Sequence, residues 1–374
     1  MHRVQPRIGS IPEAPPFVRR GSRVFATVLL SCCLGLAACG GDGGAESSSP
    51  ASVEPEADLD LSVEMDPSSE DAPGVRRIPI ATPKGEFEVW TRQVGEHPTI
   101  KVLLLHGGPG MTHEAFENFD HFLPQEGIEY YYYDQLGSHF SDQPDDDSLW
   151  QIDRFVDEVE QVRTALGLTK NNFYLYGQSW GALLALEYAL AHPDQLKGLV
   201  LSNMMASIPA YNRYADEVLA KGLDPDALAK IRAFEAAEDF ENPSYHELVQ
   251  EHFYTRHLLR MPLAEWPDAV TRTLVNANLG VYVLMQGPSE FGASGRLEFW
   301  DRTEDLPSVQ PPTLVIGAAH DTMDPEHLRW MAEQIPNGRY HHCPDGSHLA
   351  NWDDSEVYFE GLIAFLKDVD AGRF

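Results

Sequence analysis

Residues 173–191 of the chain, FYLYGQSWGALLALEYALA, decide the fold. The segment begins with a short apolar strand at 173–176 and continues as an apolar helix at 180–191, which Pro193 ends. Between them, GQSWG at 177–181 matches the pattern G-x-S-x-G. A turn this tight needs small residues beside the serine and places the Ser179 hydroxyl at a helix N-terminus, where the helix dipole stabilises a developing anion. The sequence therefore predicts Ser179 as a nucleophile.

Short apolar strands alternate with helices on both sides of this segment. Further strands are predicted at 86–93, 100–105, 130–133, 197–201, 313–316 and 339–343, and helices at 148–168, after Pro325 and at 355–369. This alternation predicts an α/β fold whose mostly parallel central sheet has helices on both faces. Residues 203–300 break the pattern and are mainly helical. We therefore expect a core formed by residues 77–202 and 301–374, with residues 203–300 as a helical cap inserted between them.

A glycine-rich loop, HGGPG at 106–110, follows the predicted strand at 100–105. Glycines let backbone N–H groups face a cavity without side-chain obstruction. In a G-x-S-x-G fold, this loop supplies one oxyanion donor and the residue after the nucleophile supplies the other. The sequence thus predicts the N–H groups of Gly108 and Trp180 as the oxyanion hole, against the alternative of an ordinary Gly-Pro turn.

A nucleophilic serine needs a base, and the base needs an orienting carboxylate. In this fold the three residues follow the order Ser, acid, His. Asp321 follows the strand at 313–316, and His348 lies in a loop between the strand at 339–343 and the last helix. We predict that these two residues complete the triad. The rival acid Asp324 precedes Pro325 and has the pattern of a helix N-cap, and the rival bases His341 and His342 lie within a strand.

No metal or cofactor is predicted. His341, His342, Cys343 and His348 lack the helical i, i+4 pair and the CxxC spacing of zinc sites. Asp145 to Asp147 lack the EF-hand pattern and fit a solvated loop. We interpret Cys343 as a small apolar residue buried in the core.

The composition is strongly acidic: 58 Asp and Glu against 27 Lys and Arg give a formal net charge of −31. Such a surface repels nucleic acid and anionic lipid, so neither is an expected partner. Solubility is the simpler interpretation of the acidity, and attraction for cationic substrates is the alternative.

Targeting signals fill the N-terminus. Arg19, Arg20 and Arg23 precede a thirteen-residue apolar run at 24–36, too short for a membrane span of about 20 residues. The run leads into Leu36-Ala37-Ala38-Cys39, which resembles a bacterial lipobox. We expect a lipoprotein signal peptide at 1–38, lipidation of Cys39, and a disordered Gly-, Ser-, Pro- and acid-rich tether at 39–76. The predicted location is the cell envelope of a bacterium, with membrane contact only through this anchor. An ordinary signal peptide or an uncleaved anchor is the alternative.

Six ordered blocks across residues 77–370 resemble the proline iminopeptidases (prolyl aminopeptidases) of the α/β-hydrolase superfamily. The blocks are HGGPG at 106–110, DQLGSHFSDQP at 134–144, GQSWG at 177–181, GPSEFGASGRLEFWD at 287–301, GAAHDTMDP at 317–325 and PDGSH at 344–348. The resemblance implies an α/β-hydrolase fold and cleavage of an N-terminal residue, often proline, from peptides with a free N-terminus. It also implies that no metal or cofactor is needed and that acidic side chains under the cap hold the substrate ammonium.

Glu290 matches one of those acidic family positions; pairing with Arg296 is its alternative role. Thr322 stands where a second acid often follows the triad aspartate, and Leu136 and His139 stand where many members carry Arg and Gly. These departures bear on the preference for proline more than on hydrolysis. The competing functions are an esterase or general aminoacyl amidase on the same fold, and a non-catalytic binding protein. A free-amine requirement would separate the first from an exopeptidase, and fluorophosphonate labelling would exclude the second.

Overall fold

Eight strands form one sheet in the computed structural model, which describes residues 72–374. The strands are β1 (Val75–Thr82), β2 (Gly85–Val94), β3 (Lys101–Leu105), β4 (Glu129–Asp134), β5 (Phe173–Gln178), β6 (Gly198–Ser202), β7 (Thr313–Ala318) and β8 (Gly338–Cys343). Their order is β1-β2-β4-β3-β5-β6-β7-β8. β1 pairs antiparallel with β2, and β2 pairs antiparallel with β4. Strands β3 to β8 are all parallel to one another.

Both faces of the sheet are covered, because alternate residues of each strand belong to different apolar cores. In β3, Leu103 and Leu105 contribute to one core, whereas Val102 and Leu104 contribute to the other. This two-sided burial explains why the central strands are continuous apolar or aromatic runs. The first core is filled by helices α2 (Ile152–Ala165), α3 (Trp180–Ala191) and α10 (Pro325–Gln334), and the second by α1 (Phe119–Phe122), α11 (Ala350–Asp353) and α12 (Ser355–Asp370).

The chain reverses its direction of travel across the sheet at β3, since β4 lies on one side of β3 and β5 on the other. In open α/β sheets, ligands bind beyond the carboxyl ends of the strands at such a switch point. The HGGPG loop follows β3 and Ser179 follows β5, so both flank the switch point. Asp321 and His348 come after β7 and β8, at the same edge of the sheet.

A helical insertion separates β6 from β7. It contains α4 (Ile208–Tyr214), α5 (Pro225–Ala236), α6 (Pro243–Val249), α7 (Thr255–His257), α8 (Asp268–Val275) and α9 (Leu279–Met285), with π-helical turns at Ala215–Leu219 and Gln250–Tyr254. The chain enters and leaves the insertion side by side, because Ser207 and Asp301 form a β-bridge. The insertion has an apolar cluster of its own that includes Ile231, Tyr245 and Phe253.

The predicted α/β-hydrolase fold class is confirmed, with two local differences. β1 begins at Val75, so Val75 and Arg76 belong to a strand and not to the tether predicted to end at residue 76. The helix expected at 148–168 is α2 at Ile152–Ala165, preceded by a 3-10 turn at Asp147–Leu149. Asp146 caps that turn by accepting a hydrogen bond from the Ser148 N–H.

The predicted signal peptide at 1–38, Cys39 and the tether up to residue 71 lie outside the described residues. Within residues 72–374, none of the helices has the length and apolar character that crossing a membrane requires.

Candidate active site

Ser179 occupies a strained turn between β5 and α3. Its backbone has φ 55° and ψ −127°, a conformation that residues with a side chain rarely adopt. The turn is held by a hydrogen bond of 3.0 Å from the Ser179 N–H to the Ser202 carbonyl. Gly177 and Gly181 are needed here: a Cβ on Gly177 would lie 2.0 Å from the Gly181 carbonyl oxygen, and one on Gly181 would lie 2.0 Å from that of Leu105. The turn therefore has the geometry of a nucleophile elbow.

His348 and Asp321 form a buried pair. Their Nδ1 and Oδ1 atoms are 2.8 Å apart, and both side chains are almost fully buried. Burial lowers the pKa of His348, but the charge and hydrogen bond of Asp321, together with the charge of Glu290, outweigh burial and raise the pKa above its ordinary value. An imidazole oriented in this way presents Nε2 as a base, and the carboxylate stabilises the imidazolium that forms.

Asp321 is itself held in place by three groups. Asn203 Nδ2 donates to Oδ2 over 2.7 Å, the Met323 N–H donates to Oδ1 over 3.1 Å, and the Thr322 hydroxyl lies 3.3 Å from Oδ1. The same Thr322 hydroxyl is 3.0 Å from His348 Nδ1. Asn203 has φ 53°, a left-handed conformation that asparagine tolerates better than most residues. The carboxylate thus has a fixed orientation toward the histidine.

The loop carrying His348 is tied to the nucleophile turn. Gln178, which precedes Ser179, donates from Nε2 to the His348 carbonyl over 3.0 Å and to Asn351 Oδ1 over 3.2 Å. On the other side, the His348 N–H donates to the His257 carbonyl over 3.0 Å. The end of β5, the segment that follows β8 and the helical insertion therefore share one hydrogen-bonded network around the predicted triad residues.

The HGGPG loop lies against the nucleophile turn. A Cβ on Gly107 would lie 3.3 Å from Ser179 Cβ, and Gly108 has φ 110°, a backbone conformation suited to glycine. Among residues 72–374, the backbone N–H groups of Gly108 and Trp180 donate to no protein acceptor. Both predicted oxyanion donors are thus available to a ligand.

Gln135 joins the two halves of this predicted oxyanion hole. Its Oε1 accepts from the Trp180 indole over 2.9 Å, and its Nε2 donates to the His106 carbonyl over 3.1 Å. His106 Nε2 accepts from the Gln135 N–H over 3.1 Å, and burial lowers the pKa of His106 to about 4. His106 is therefore neutral above that pH, with its proton on Nδ1, which lies 2.9 Å from the Gly107 carbonyl.

Glu290 lies in the insertion, 7% exposed and with three tyrosines around it. Tyr282 donates to its Oε1 over 2.6 Å, Tyr211 donates to its carbonyl over 2.5 Å, and its N–H donates to the Tyr254 hydroxyl over 3.3 Å. Burial raises the pKa of Glu290, while the charge of His348 lowers it in part, so the carboxylate lies within electrostatic reach of the predicted triad.

Glu290 has no basic partner within ion-pair distance among residues 72–374. The alternative partner, Arg296, instead donates from Nη1 to the carbonyls of Asp147, at 2.7 Å, and Trp150, at 2.9 Å. A buried carboxylate without a cation is costly, because desolvation of its charge is offset only by hydrogen bonds.

The rival residues lie elsewhere. Asp324 caps α10 by accepting from the Glu326 N–H over 3.0 Å. His341 contacts the Val357 carbonyl over 2.8 Å, and His342 contacts the Tyr340 hydroxyl over 3.1 Å. In the described part of the chain, no three His, Cys, Asp or Glu side chains converge in a way that could hold a metal ion. Cys343 is a buried free thiol.

Several residues of this site are absent from the sequence predictions: Gln135, Gln178, Asn203, Tyr211, Tyr254 and Tyr282. Asn203 carries a usable signal, since it is a polar residue directly after the apolar strand β6, at the sheet edge where the triad residues lie. Gln135 and Gln178 lie within two of the quoted blocks, DQLGSHFSDQP and GQSWG, but neither is assigned a role there. The tyrosines give no local signal, because only the packing of the insertion brings them to Glu290.

Comparison with known proteins identifies the family. Residues 101–355 match the family model of the α/β hydrolase fold. The chain is 57% identical over 293 residues to a proline iminopeptidase of Flavobacterium johnsoniae, covering 78% of this chain and 98% of that protein. It is 55% identical over 299 residues to a proline iminopeptidase of Elizabethkingia meningoseptica, covering 79% and 99%.

Solved structures agree with these relatives. The structure of VinJ has a TM-score of 0.73 at 29% identity and covers 79% of this chain and 99% of its own. That of a proline iminopeptidase from Mycobacterium smegmatis has a TM-score of 0.71 at 30% identity and covers 80% and 100%. The chain therefore belongs to the α/β-hydrolase fold family and, within it, to the proline iminopeptidases.

Proposed function

We propose that the protein is a serine exopeptidase that releases an N-terminal residue, preferably proline, from peptides. Ser179 attacks the first carbonyl carbon, and His348 takes the proton of the hydroxyl and passes it to the leaving amine. An acyl-enzyme on Ser179 results, and water activated by the same histidine hydrolyses it. Asp321 orients the imidazole, and the N–H groups of Gly108 and Trp180 bind the oxyanion.

Glu290 is the observation that carries the exopeptidase assignment. Its buried carboxylate has tyrosine hydrogen bonds and lies within electrostatic reach of His348, but it has no cation of its own among the described residues. The ammonium of a substrate N-terminus would supply that cation. In this proposal the helical insertion acts as a cap, which holds the N-terminus at a fixed distance from Ser179 and limits cleavage to the first residue.

Thr322 gives Glu290 a larger share of ammonium binding than in a site with two acids. The Thr322 hydroxyl is uncharged and faces His348 Nδ1, at 3.0 Å. Glu290 is then the main carboxylate for the substrate amine. Removing one partner of a buried charge pair costs about 2–5 kcal/mol, which corresponds to tens to thousands in kcat/KM.

Two substrate pairs test this function. The wild type should cleave a prolyl arylamide with a free amine and leave its N-acetylated form intact. Glu290→Gln should lower kcat/KM for the free-amine arylamide by tens to thousands, while a simple nitrophenyl ester, which has no ammonium, should keep its rate at a pH above the pKa of His348. Good cleavage of the acetylated arylamide, or equal loss on both substrates, would make an esterase or aminoacyl amidase the better assignment.

Export as a bacterial lipoprotein is the second part of the proposal. The support is the sequence alone: arginines before a short apolar run that ends in Leu36-Ala37-Ala38-Cys39, followed by a polar stretch. Lipidated at Cys39, the enzyme would act in the cell envelope on peptides outside the cytoplasm.

A further inference from the structure

An open groove with a volume of about 560 Å³ lies where the insertion meets the loops of the predicted triad. Its lining includes Thr255, Arg256, His257, Arg260, Met261 and His320. The groove is basic, although the chain as a whole carries a formal charge of −31. A local excess of cationic side chains in so acidic a protein calls for an anionic ligand.

The two arginines of the groove keep donors available. Arg256 donates from Nη1 to the Gly222 carbonyl over 3.0 Å, and Arg260 donates from Nη1 to the Asp345 carbonyl over 2.8 Å. Neither guanidinium forms an ion pair with a carboxylate of residues 72–374. Each guanidinium has five N–H donors in a planar fork that fits a carboxylate.

The nearest carboxylates only partly offset this charge. Asp353 accepts hydrogen bonds from the backbone N–H groups of Ser347 and Arg260, each over 3.0 Å, and also from the Ser347 hydroxyl. These bonds turn the Asp353 carboxylate toward the backbone. Asp345 meets Arg260 through its carbonyl and not through its carboxylate.

The groove adjoins two predicted triad residues. The His257 carbonyl accepts from the His348 N–H over 3.0 Å, and His257 Nδ1 lies 3.0 Å from the carbonyl of His320, the neighbour of Asp321. The groove lining is therefore hydrogen-bonded to the loop that carries His348 and includes the residue before Asp321. An extended peptide advances about 3.3–3.6 Å per residue, so only a peptide of a few residues would end near these loops.

We propose that this groove binds the C-terminal carboxylate of a short peptide substrate. The inference rests on the proposed function and extends it: Glu290 holds the ammonium at one end of the peptide, and Arg256 and Arg260 hold the carboxylate at the other. Peptides whose two charged ends both reach a partner bind best, so the enzyme selects short peptides with a free C-terminus.

The test measures binding rather than turnover. In Ser179→Ala protein, calorimetry compares prolyl-alanyl-alanine with the same peptide as its C-terminal amide. The free acid should bind roughly fivefold more tightly, as two partly exposed ion pairs allow. Arg256→Gln combined with Arg260→Gln should bring the acid-to-amide ratio close to one. The control is Arg213→Gln, which removes an exposed arginine of the insertion outside the groove and should keep the wild-type ratio; thermal unfolding checks that each variant is folded.

Equal binding of acid and amide by the parent protein, or a ratio that survives the double substitution, would overturn the proposal. Sodium acetate tests whether the groove binds the peptide carboxylate or a free anion. If acetate weakens binding of the acid peptide but not of the amide, the groove is part of the substrate site. If acetate changes the binding of both peptides equally, the groove is an effector site and the proposal is wrong. Failure of the exopeptidase function is recognised separately, by cleavage of the acetylated arylamide.

Discussion

At Ser179 the backbone conformation matters as much as the hydroxyl. A residue with a side chain at φ 55° and ψ −127° costs about 1–3 kcal/mol, and such strain persists only when the surroundings enforce it. Here the enforcing contacts are the close approaches at Gly177 and Gly181. In this conformation the Ser179 hydroxyl projects from the β5–α3 turn toward the HGGPG loop. A substrate carbonyl placed there can contact the hydroxyl and the loop together.

Removing the nucleophile should abolish turnover. We expect Ser179→Ala to lower kcat by roughly a millionfold, as in serine proteases whose triad acts as a unit. Asp321→Asn should cost about 10⁴-fold, because the imidazole loses the carboxylate that fixes its tautomer. Initial rates with a prolyl arylamide measure both effects, and thermal unfolding confirms that the proteins are folded. More than a few per cent of wild-type activity in Ser179→Ala would rule out this mechanism.

Asn203 is a positioning residue, because it reaches the substrate only through Asp321. Asn203→Gly keeps the left-handed backbone but removes the amide that donates to Asp321 Oδ2 at 2.7 Å. A hydrogen bond to a charged group contributes about 1.5–3 kcal/mol, so kcat should fall roughly 10- to 100-fold. KM should change little, since no substrate contact is lost. A change in KM with kcat intact would mean that Asn203 supports binding instead.

The pH dependence follows from the raised pKa of His348. The histidine must be neutral to act as a base, so activity is lost as pH falls through its pKa, which lies above the ordinary value near 6.5. Because the charge of Glu290 contributes to this upward shift, Glu290→Gln should move the acidic limb of the kcat/KM profile to lower pH. The profile is best measured with a nitrophenyl ester, which has no ammonium to titrate. An unmoved limb would show that Glu290 has no electrostatic contact with His348.

At the scale of elements, a helix or strand is predictable from the sequence when nearby residues determine it, and is not when contacts with distant parts of the chain do. Helix α3 is predicted with its observed bounds because its apolar run and the glycine turn before it are local signals. β1 (VRRIPIAT) is not predicted, since half its residues are exposed and its pairing with β2 makes it a strand. Asp321 and His348 are identifiable from chain order and strand ends. The tyrosines around Glu290 are not, because they come from separate elements of the insertion that only tertiary packing brings together.

The contact between α3 and β3 gives a sharp stability prediction. In Gly181→Ala the new methyl would lie 2.0 Å from the Leu105 carbonyl oxygen, and neither backbone can move without displacing the sheet. We expect a loss of about 3 kcal/mol or more in the free energy of unfolding. Urea unfolding measures it, with Gly222→Ala as the matched control, because a Cβ there meets no atom within 4 Å. Equal stability of the two variants would contradict the tight turn.

At the scale of the whole molecule, the negative net charge of the protein opposes its binding to an anionic membrane surface. A net charge of −31 repels anionic lipid, so a stable membrane association needs an apolar attachment. Cys39, at the end of an apolar run, is the candidate for attachment by acyl chains.

Lipidation of Cys39 predicts how the protein fractionates. The wild type should sediment with membranes, because several acyl chains anchor stably where one binds only marginally. High salt should not release it, since screening weakens attraction between charges and leaves apolar insertion intact, whereas detergent should.

Cys39→Ser should fail normal processing and lose the lipid mass on its N-terminal peptide. Because Ser179, Asp321 and His348 all lie within residues 72–374, the Cys39→Ser protein should keep prolyl arylamidase activity. Mass spectrometry that finds an unmodified mature N-terminus at another residue would exclude the anchor, and salt-released protein would mean a peripheral association.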